Sequence, residues 1–424
     1  MVPYERNISL SHQTAGCLSL TGNDRSLLII YPWGVDSVIE KNIGAGLRVG
    51  LLADFLQENG FRITVASVGR TEREFERNGI HFREFRFPST FVLLTLYAAL
   101  ILFTRCLGWQ GLHAWIYYTF FQYDRRFARL MKEEMAKAGI ILLEYPFWAK
   151  LIHDFKIRTI LTDHDIIAES WTKCGCRWLN NFLYKILLNK ELSSFESAGR
   201  VVFVAESDRK FFVDQGLKSE HTAVITNPIK VSFDTIKCSC APQLNYSFRG
   251  FEFHIGALFV GSGWFPNREA AQAIATTIAL DCPYVTFFIA GECSTWVKNA
   301  PSNVRLLGVL SAEELSILYR MITFALIPVT WGTGSSLKTV EAMAYGKVII
   351  TTPVGVRGLA FEHGVHGMLC DEISEFPRQI SQLTRNSTQR NQLESGARSL
   401  AKKYDYRTIF MRYLEIIDEL SIKS

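Results

Sequence analysis

The sequence lacks several features that would assign its class directly. Its 424 residues carry a formal net charge of only +5, which suits a phosphate-bearing ligand or an anionic membrane surface and does not require a nucleic acid. Nine cysteines form an odd set without the spacing of a disulfide framework. Residues 1–25 are polar and contain no apolar run of the signal-peptide kind, so we expect a loosely ordered N-terminal extension there.

Signatures of metal sites and of hydrolases are missing as well. One residue separates the thiols in Cys174/Cys176 and in Cys238/Cys240, whereas zinc-binding pairs usually have a wider spacing. We therefore expect no bound metal, and reduced thiols in a cytosolic protein. The sequence also contains no Walker loop, no paired-carboxylate hydrolase site and no Ser-His-Asp set.

Short apolar strands alternate with helical patterns in two successive sets. With 48% apolar residues and a length beyond one typical core, the chain is expected to form two or more α/β domains. Residues 229–254 lack a clear periodicity and are the expected linker region. Strands are predicted before the linker at 26–31, 62–66, 140–144, 159–163 and 200–204, and after it at 257–263, 286–291, 304–308, 324–328 and 348–352.

The most informative stretch lies between the last two predicted strands. A Gly/Ser loop beginning at Gly332 leads into a helix that Gly346 ends, so the unit is a βαβ crossover. The first turn of that helix carries Lys338 and no acidic residue, although the helix dipole disfavours a cation there by roughly 0.3–1 kcal/mol. Lys338 and Glu341 also stand in the poorer order for a helical ion pair.

A bound phosphate would remove this conflict. The amides of Gly334, Ser335 and Ser336, two hydroxyls and the Lys338 ammonium could together cradle an anion. A loop with serine caps and a solvated lysine fits the same spacing. The spacing alone leaves both interpretations open.

The string GTGSSLKTVEAMAYGKVIITTPVGVRGL, which starts at Gly332, resembles the donor-sugar signature of the retaining family-4 glycosyltransferases. It is most similar to the branch that reads Gly-x-Gly-x-x-Leu-Lys-x-x-Glu-Ala-Met-Ala. The resemblance implies the GT-B fold, a donor diphosphate held by the loop and Lys338, and a ribose held by Glu341. Many members carry another glutamate eight residues before this one, where the present chain has Thr333.

The resemblance implies an α/β GT-B architecture of two Rossmann-like domains that face each other across a cleft. The predicted domains are an N-terminal acceptor domain over 26–230, a linker over 231–254 and a nucleotide-sugar domain over 255–405. A helix over 406–424 is expected to cross back onto the first domain. Residues 1–25 precede these units.

The first βαβ unit contains a second glycine-rich segment. Gly44, Gly46 and Gly50 miss the dinucleotide-binding spacing by one residue, and no acidic residue ends the next strand, so a nicotinamide site is disfavoured. In the family that the chain resembles, a loop here lets the backbone approach the donor phosphates and the acceptor. We therefore assign Gly46 to donor binding and Gly44 to the acceptor or sugar side.

Further site residues follow strand ends. The strand over 159–163 runs into His164 and Asp165, at the sheet edge where α/β folds place ligands. The resemblance implies that His164 meets the sugar and that Asp165 faces sugar or acceptor. A satisfied surface histidine and a helix-capping aspartate remain the alternative. In the second domain the resemblance implies donor contacts from Gly261, Asn267, Gly308, Gly332, Gly334, Ser335, Ser336 and Leu337. The catalytic residues that it implies are Lys338 and Glu341 of the second domain and His164 of the first.

Residues 87–126 contain an unusually apolar and aromatic segment. Three interpretations fit it: a membrane span, burial inside the first domain, or docking in the plane of a membrane interface. Pro88 and Arg105 bracket fewer than the roughly 20 apolar residues that a span needs. Trp109, Trp115 and Tyr123 suit the headgroup zone, which favours docking.

The sequence thus predicts a glycosyltransferase that moves a sugar from a nucleotide-diphosphate sugar to an acceptor hydroxyl with retention. The acceptor is expected to be lipid-linked or a glycan, in cell-surface polysaccharide or glycolipid synthesis. No cofactor, metal or nucleic acid is expected, and the predicted location is the cytoplasm, at the inner face of the plasma membrane. A catalytically idle GT-B module, and a sugar-nucleotide epimerase or phosphorylase of the same fold, are the alternatives.

Overall fold

The computed structural model describes residues 25–40, 44–106, 116, 118–172, 177–230 and 246–421. The predicted extension before Arg25 and the first part of the predicted linker, 231–245, lie outside these residues. Both Cys-x-Cys pairs, 174/176 and 238/240, also lie outside them.

Eight strands of the described chain form the sheet of the first lobe. Five of them match predicted apolar strands, the short edge strand over 222–224 was not predicted, and two near the opposite edge alternate or are polar. The strands are β1 (Ser26–Tyr31), β2 (Arg62–Gly69), β3 (Arg73–Arg77), β4 (Ile80–Arg86), β5 (Ile140–Glu144), β6 (Thr159–Asp163), β7 (Arg200–Phe203) and β8 (Thr222–Val224). Their order is β3-β4-β2-β1-β5-β6-β7-β8, parallel throughout except for the β3–β4 hairpin, which the sequence analysis missed.

Helices cover this sheet and connect its parallel strands, as parallel pairing requires. Their bounds are α1 (Val35–Glu40), α2 (Gly44–Glu58), α3 (Phe91–Cys106), α4 (Arg125–Lys137), α5 (Ile167–Thr172), α6 (Arg177–Phe195) and α7 (Glu206–Asp214). Helix α2 begins at the predicted Gly44. No helix in the described part of the chain combines the length and apolarity that crossing a membrane demands.

The second lobe is built on a parallel sheet of six described strands. A two-stranded antiparallel hairpin, β9 (Tyr246–Phe248) and β10 (Phe251–Phe253), precedes it within the region predicted as linker. The sheet strands are β11 (Gly256–Val260), β12 (Thr286–Ala290), β13 (Val304–Gly308), β14 (Phe324–Ile327), β15 (Val348–Thr351) and β16 (Met368–Leu369). Their order is β13-β12-β11-β14-β15-β16.

The helices of the second lobe and the C-terminal helix are α8 (Phe265–Ala273), α9 (Ala312–Met321), α10 (Leu337–Ala344), α11 (Phe376–Arg385), α12 (Ser387–Ala401) and α13 (Tyr406–Ser421). Ser311 and Glu314 form a capping box at the start of α9. Helix α8 begins at Phe265, and Pro266 suits its first turn.

Each lobe has its own hydrophobic core, and the chain passes between the lobes twice. Helix α13 packs into the first core although it follows the second lobe in sequence. The two crossings lie side by side: the Ile229 amide donates to the Tyr404 carbonyl at 2.9 Å, and the Tyr406 amide donates to the Ile229 carbonyl at 3.0 Å. Two paired parallel-sheet lobes joined in this way give the predicted GT-B architecture.

Candidate active site at the junction of the two lobes

Lys338 lies in the first turn of α10, directly after the loop that follows β14. Its ammonium donates to Asn267 Oδ1 at 2.8 Å and lies 5.8 Å from the centre of the Phe259 ring. Burial lowers the pKa of Lys338 to about 8. The lysine is therefore held inside the site, which argues against the solvated-lysine interpretation.

Asn267 reaches this lysine because of where α8 begins. The residue lies in the first turn of α8, and its amide also donates to Ser262 Oγ at 3.1 Å. Gly261 packs beside it, and a Cβ there would lie 2.8 Å from Asn267 Cβ and 3.0 Å from Cys293 Sγ. The predicted donor residues Gly261 and Asn267 thus form one packed unit under Lys338.

Glu341 lies on α10 one turn after Lys338. Its carboxylate accepts a hydrogen bond from the Tyr319 hydroxyl at 3.2 Å, and burial raises the pKa of Glu341 to about 7. Tyr319 stacks on Tyr345 with ring centres 4.6 Å apart. Gly308, also predicted to contact the donor, ends β13 with a φ of +67°.

His164 is buried, so its interpretation as a surface histidine was wrong. Its Nε2 lies 2.6 Å from Glu144 Oε2, and its ring stacks on Tyr145 at 4.3 Å. Burial lowers the pKa of His164, which keeps the ring neutral at pH 7. Strand β6 delivers this ring to the carboxyl end of the first sheet.

Gly334 lies within the donor-loop candidate, Gly332 to Ser336, and contacts the first lobe. Its amide donates to Asp208 Oδ2 at 2.8 Å, and its carbonyl accepts from Arg357 Nε at 3.2 Å. The φ of Gly334 is +78°, and a Cβ there would overlap the carbonyl oxygen of His164. Only glycine fits this position. One amide predicted to bind phosphate is thus occupied by Asp208 in this structure.

Thr333 contacts the same lobe. Its hydroxyl oxygen accepts from the Ile166 amide at 3.1 Å and lies 2.6 Å from the Ser170 hydroxyl. It donates to Asp165 Oδ1 at 3.3 Å. Burial raises the pKa of Asp165 to about 7, and the nearby charge of Asp208 adds to this shift.

The last two loop residues complete the contact. The Ser335 carbonyl accepts from Asn227 Nδ2 at 3.1 Å, and Ser336 Oγ accepts from the Thr339 hydroxyl at 2.9 Å. Ser335 Oγ is buried, and no residue in the described ranges forms a hydrogen bond with it. A buried hydroxyl without a partner is available to a ligand.

The two glycines predicted on α2 have different surroundings. A Cβ at Gly44 would lie 3.1 Å from Leu337 Cδ1, so this glycine faces the start of α10 in the other lobe. A Cβ at Gly46 would instead overlap the Ser37 backbone, so Gly46 lets α2 pack against α1. Of the pair, Gly44 is the one next to the donor loop.

Two buried acidic residues, Glu191 and Asp163, interact electrostatically with Asp165 and Asp208, which contact the loop. Burial raises the pKa of Glu191 to about 8 and, with the charge of Glu191, raises that of Asp163 well above its ordinary value. The amides of Ile167 and Ala168 donate to Glu191 at 2.7 and 2.9 Å. No group of three or more His, Cys, Asp or Glu side chains in the described ranges could hold a metal ion.

Sequence reasoning missed several residues that touch the loop, among them Asp208 and Arg357. Asp208 follows β7 in a segment that shows no pattern beyond helix initiation. Arg357 lies inside the signature string, but after strand β15 and not in the glycine-rich loop. A carboxylate at a helix start and an arginine in a short turn are common at surfaces, so only their position beside Gly334 reveals them.

Two family models match the chain, one in each lobe. The model described as Glycosyltransferase Family 4 matches residues 44–233, and the model described as Glycosyl transferases group 1 matches residues 255–386. Together they cover more than half of the chain.

Curated relatives match only in part. An uncharacterized glycosyltransferase of Methanocaldococcus jannaschii is 29% identical over 127 residues, which are 30% of this chain and 36% of that protein. An uncharacterized protein from the cps region of Klebsiella pneumoniae is 23% identical over 181 residues, 39% of this chain and 47% of that protein. The chain thus spans less than half the length of each of these relatives.

Solved structures match along nearly the whole chain. Sucrose-phosphate synthase of Thermosynechococcus elongatus superposes with a TM-score of 0.68 at 15% identity, covering 94% of this chain and 100% of that one. Anabaena HepE in complex with UDP and glucose superposes with a TM-score of 0.60 at 16% identity, covering 93% and 99%. These likenesses show the GT-B fold, and the two family models indicate that the chain is a glycosyltransferase of the family 4 type.

Proposed function

We propose that the protein transfers a sugar, with retention, from a nucleotide-diphosphate sugar to an acceptor hydroxyl. The observation that carries the proposal is Lys338, a partly buried cation in the first turn of a helix, three residues after Ser335, whose hydroxyl is buried without a partner among the described residues. A cation is unfavourable at that end of a helix unless an anion joins it. Anabaena HepE, which shares the fold, has been solved with UDP-glucose.

Charge accumulates on the diphosphate as the bond between the sugar and the nucleotide breaks. Donors that are already oriented toward that charge stabilise the transition state, by roughly 3–4 kcal/mol for a single donor in well-studied enzymes. Lys338 and the loop amides of Ser335 and Ser336 would have this role. Glu341 would hold the ribose, and no metal or cofactor is required by this scheme.

The donor sugar would lie toward His164 and Asp165. The His164 ring is fixed on two sides, by Glu144 at 2.6 Å and by Tyr145 at 4.3 Å. A ring held this firmly pays little entropy when a substrate hydroxyl binds to it. Asp165, whose pKa is raised to about 7, could donate or accept a hydrogen bond at neutral pH.

We place the acceptor on a membrane surface, because helix α3 exposes apolar side chains around most of its circumference. Phe91 is 72% exposed, Leu96 54% and Phe103 56%. An exposed apolar surface of this kind marks an interaction site. The ring chain Tyr97–Phe120–Tyr123 links α3 to the exposed arginines that begin α4, which suits anionic headgroups.

This surface supports a lipid-linked or glycan acceptor at the inner face of the plasma membrane, in polysaccharide or glycolipid synthesis. Such an acceptor would approach from the first lobe, since α3 belongs to that lobe. The scheme separates the two substrates, with the soluble donor on the second lobe and the acceptor on the first.

The test begins with a panel of nucleotide sugars, read by calorimetry and by transfer of radiolabel from the bound donor into membrane lipid extracts. We expect one donor class to bind, and we expect Lys338→Ala to reduce the rate of transfer roughly 100-fold or more. Lys298→Ala, which removes an exposed lysine from the same lobe, is the control and should leave transfer unchanged. Near-normal turnover by Lys338→Ala would contradict the assignment.

The same assay tests the alternatives. A protein that binds no nucleotide sugar or nucleoside diphosphate would be an idle module with this fold. Conversion of the donor to a new sugar nucleotide without an acceptor would indicate an epimerase. Transfer into lipid only in the presence of the acceptor extract is the result expected here.

A further inference from the structure

His164 begins a line of hydrogen bonds that runs through the interior of the molecule. Glu144 Oε2 accepts a hydrogen bond from His164 Nε2 at 2.6 Å, and Glu144 Oε1 accepts one from the Thr162 hydroxyl at 3.2 Å. Glu144 is 1% exposed and Thr162 is fully buried. All three residues lie on or directly after the neighbouring strands β5 and β6.

The line continues into the C-terminal helix. The Thr162 hydroxyl lies 2.9 Å from the Tyr413 hydroxyl, and Tyr413 is a fully buried residue of α13. The Tyr413 hydroxyl accepts a hydrogen bond from Arg48 Nη2 at 3.2 Å. Arg48 is a fully buried residue of α2, and its guanidinium lies 5.9 Å from the centre of the Tyr413 ring.

The line ends at the donor loop of the other lobe. Arg48 Nη1 donates to the Thr226 carbonyl at 2.7 Å and to Asn227 Oδ1 at 3.3 Å. Asn227 Nδ2 in turn donates to the Ser335 carbonyl at 3.1 Å. The Asn227 amide therefore uses its oxygen toward the first lobe and its nitrogen toward the loop.

Arg48 and Glu144 are a buried cation and a buried anion that do not touch. The hydroxyls of Thr162 and Tyr413 lie between them. Thr162 donates to Glu144 Oε1, and Tyr413 accepts from Arg48 Nη2. Buried ionic groups stabilise a fold little better than apolar side chains of the same size, whereas fixed partners let them specify geometry. In this network Arg48 Nη1 and Nη2, both Glu144 carboxylate oxygens and both polar atoms of the Asn227 side chain have partners, and Arg48 Nε has none among the described residues. A network that extends from His164 to Ser335 is suited to fixing their distance.

We propose that Arg48, Tyr413 and Asn227 are positioning residues that hold the donor loop in register with His164. The inference rests on the proposed function in one respect, that the loop binds the donor. Loss of one bridge would leave Ser335 free to shift, and its neighbouring amides would meet the donor less often in the correct place.

The test compares two tyrosines of α13 in the full-length protein. Tyr413→Phe removes the hydroxyl inside the network, whereas Tyr406→Phe removes a hydroxyl that donates to Glu58 at 3.1 Å outside it. We expect Tyr413→Phe to accelerate amide hydrogen exchange of residues 333–340 roughly fivefold, and Tyr406→Phe to leave it unchanged. Asn227→Ala should reproduce the effect, and the double variant should add nothing to it.

A turnover readout separates positioning from stability. With the donor that the panel identifies, Tyr413→Phe should raise KM roughly fivefold and change kcat less than about twofold, because the loop holds the donor before and during the reaction. Unchanged loop exchange, or equal acceleration by both tyrosine variants, would overturn the inference. If the exchange pattern appears and no nucleotide sugar binds, the network stands and the proposed function fails.

Discussion

At the scale of single residues, the junction between the lobes is an environment that changes protonation. Lys338 and Asp165 have opposite charge, yet burial shifts the pKa of each toward neutrality, to about 8 and about 7. Both shifts arise because the low-dielectric interior disfavours the charged form. A site with such groups should bind an anion with a pH dependence in the physiological range.

Affinity for the donor is expected to fall as pH rises. Below about pH 7 Asp165 is uncharged and Lys338 is a cation, and above about pH 8 the cation is lost. The diphosphate of a nucleotide sugar keeps its charge over this range, so only the deprotonation of Lys338 weakens binding. The affinity should therefore fall by up to roughly tenfold per pH unit above pH 8. Calorimetry between about pH 6 and pH 9 measures it.

Lys338→Arg is the matched variant for this measurement, because a guanidinium remains charged throughout. It should remove the fall above pH 8, and Asp165→Asn should remove the step near pH 7. A wild-type affinity that rises with pH would contradict the assignment of Lys338 to the diphosphate.

Gly334→Ala should separate the lobes locally. A Cβ at this position would overlap the His164 carbonyl oxygen in addition to straining a φ of +78°. Gly364→Ala is the control, since that glycine has a similar φ of +75° with open space around the added atom. We expect Gly334→Ala to cost about 1–3 kcal/mol more in the free energy of unfolding than Gly364→Ala.

The comparison is made by urea unfolding, with donor binding as the second readout. The control should bind the donor normally, whereas Gly334→Ala should not bind it. Equal loss of stability in the two variants would mean that the loop does not lie against β6 as described.

At the scale of elements, helix α3 is exceptional because it contacts the protein along one narrow stripe. The stripe consists of the partly or fully buried positions Leu93, Tyr97, Ile101 and Thr104, which follow helical spacing. The other positions from Phe91 to Phe103 are exposed and uncharged. Burial inside the first lobe, one of the three interpretations of this segment, therefore fails for α3.

Binding to anionic vesicles should depend on this exposed face. Leu96→Glu with Phe103→Glu places two carboxylates on it, and sedimentation with phosphatidylglycerol vesicles should show loss of binding by roughly tenfold or more. Leu280→Glu is the control, because Leu280 is 59% exposed on the second lobe and should not affect binding. Equal vesicle binding by all three proteins would contradict the membrane proposal.

At the scale of the whole molecule, the two lobes are interdependent because α13 completes the core of the first. Phe410 is fully buried and packs 5.9 Å from the Phe55 ring of α2. Phe410→Ala should therefore destabilise the first sheet by about 3–5 kcal/mol, although it lies beyond the second lobe in sequence. Phe376→Ala, at an equally buried position of α11, should affect the second sheet instead.

Hydrogen exchange of strands β1 and β5 against β11 and β14 distinguishes the two variants. Faster exchange of the second sheet in Phe410→Ala would contradict the assignment of α13 to the first core.

The sequence by itself determined the parallel-sheet architecture, because buried parallel strands read as apolar runs and helix ends carry local signals. Strand β15, the end of α10 at Gly346 and the capping box at Ser311 all follow from interactions within a few residues. The glycine-rich crossover and its lysine were recognisable for the same reason. Here the local pattern and the fold agree.

The tertiary structure alone decided which groups meet across the lobes. Asp208 reaches Gly334 and Asn227 reaches Ser335 over separations of 126 and 108 residues. Within the first lobe, Arg48 reaches Tyr413 over a separation of 365 residues. No periodicity encodes such pairs, because each depends on how elements that are distant in sequence pack against one another. Helix α3 is the converse case: its apolar sequence suits a core, and only the packing leaves that surface exposed.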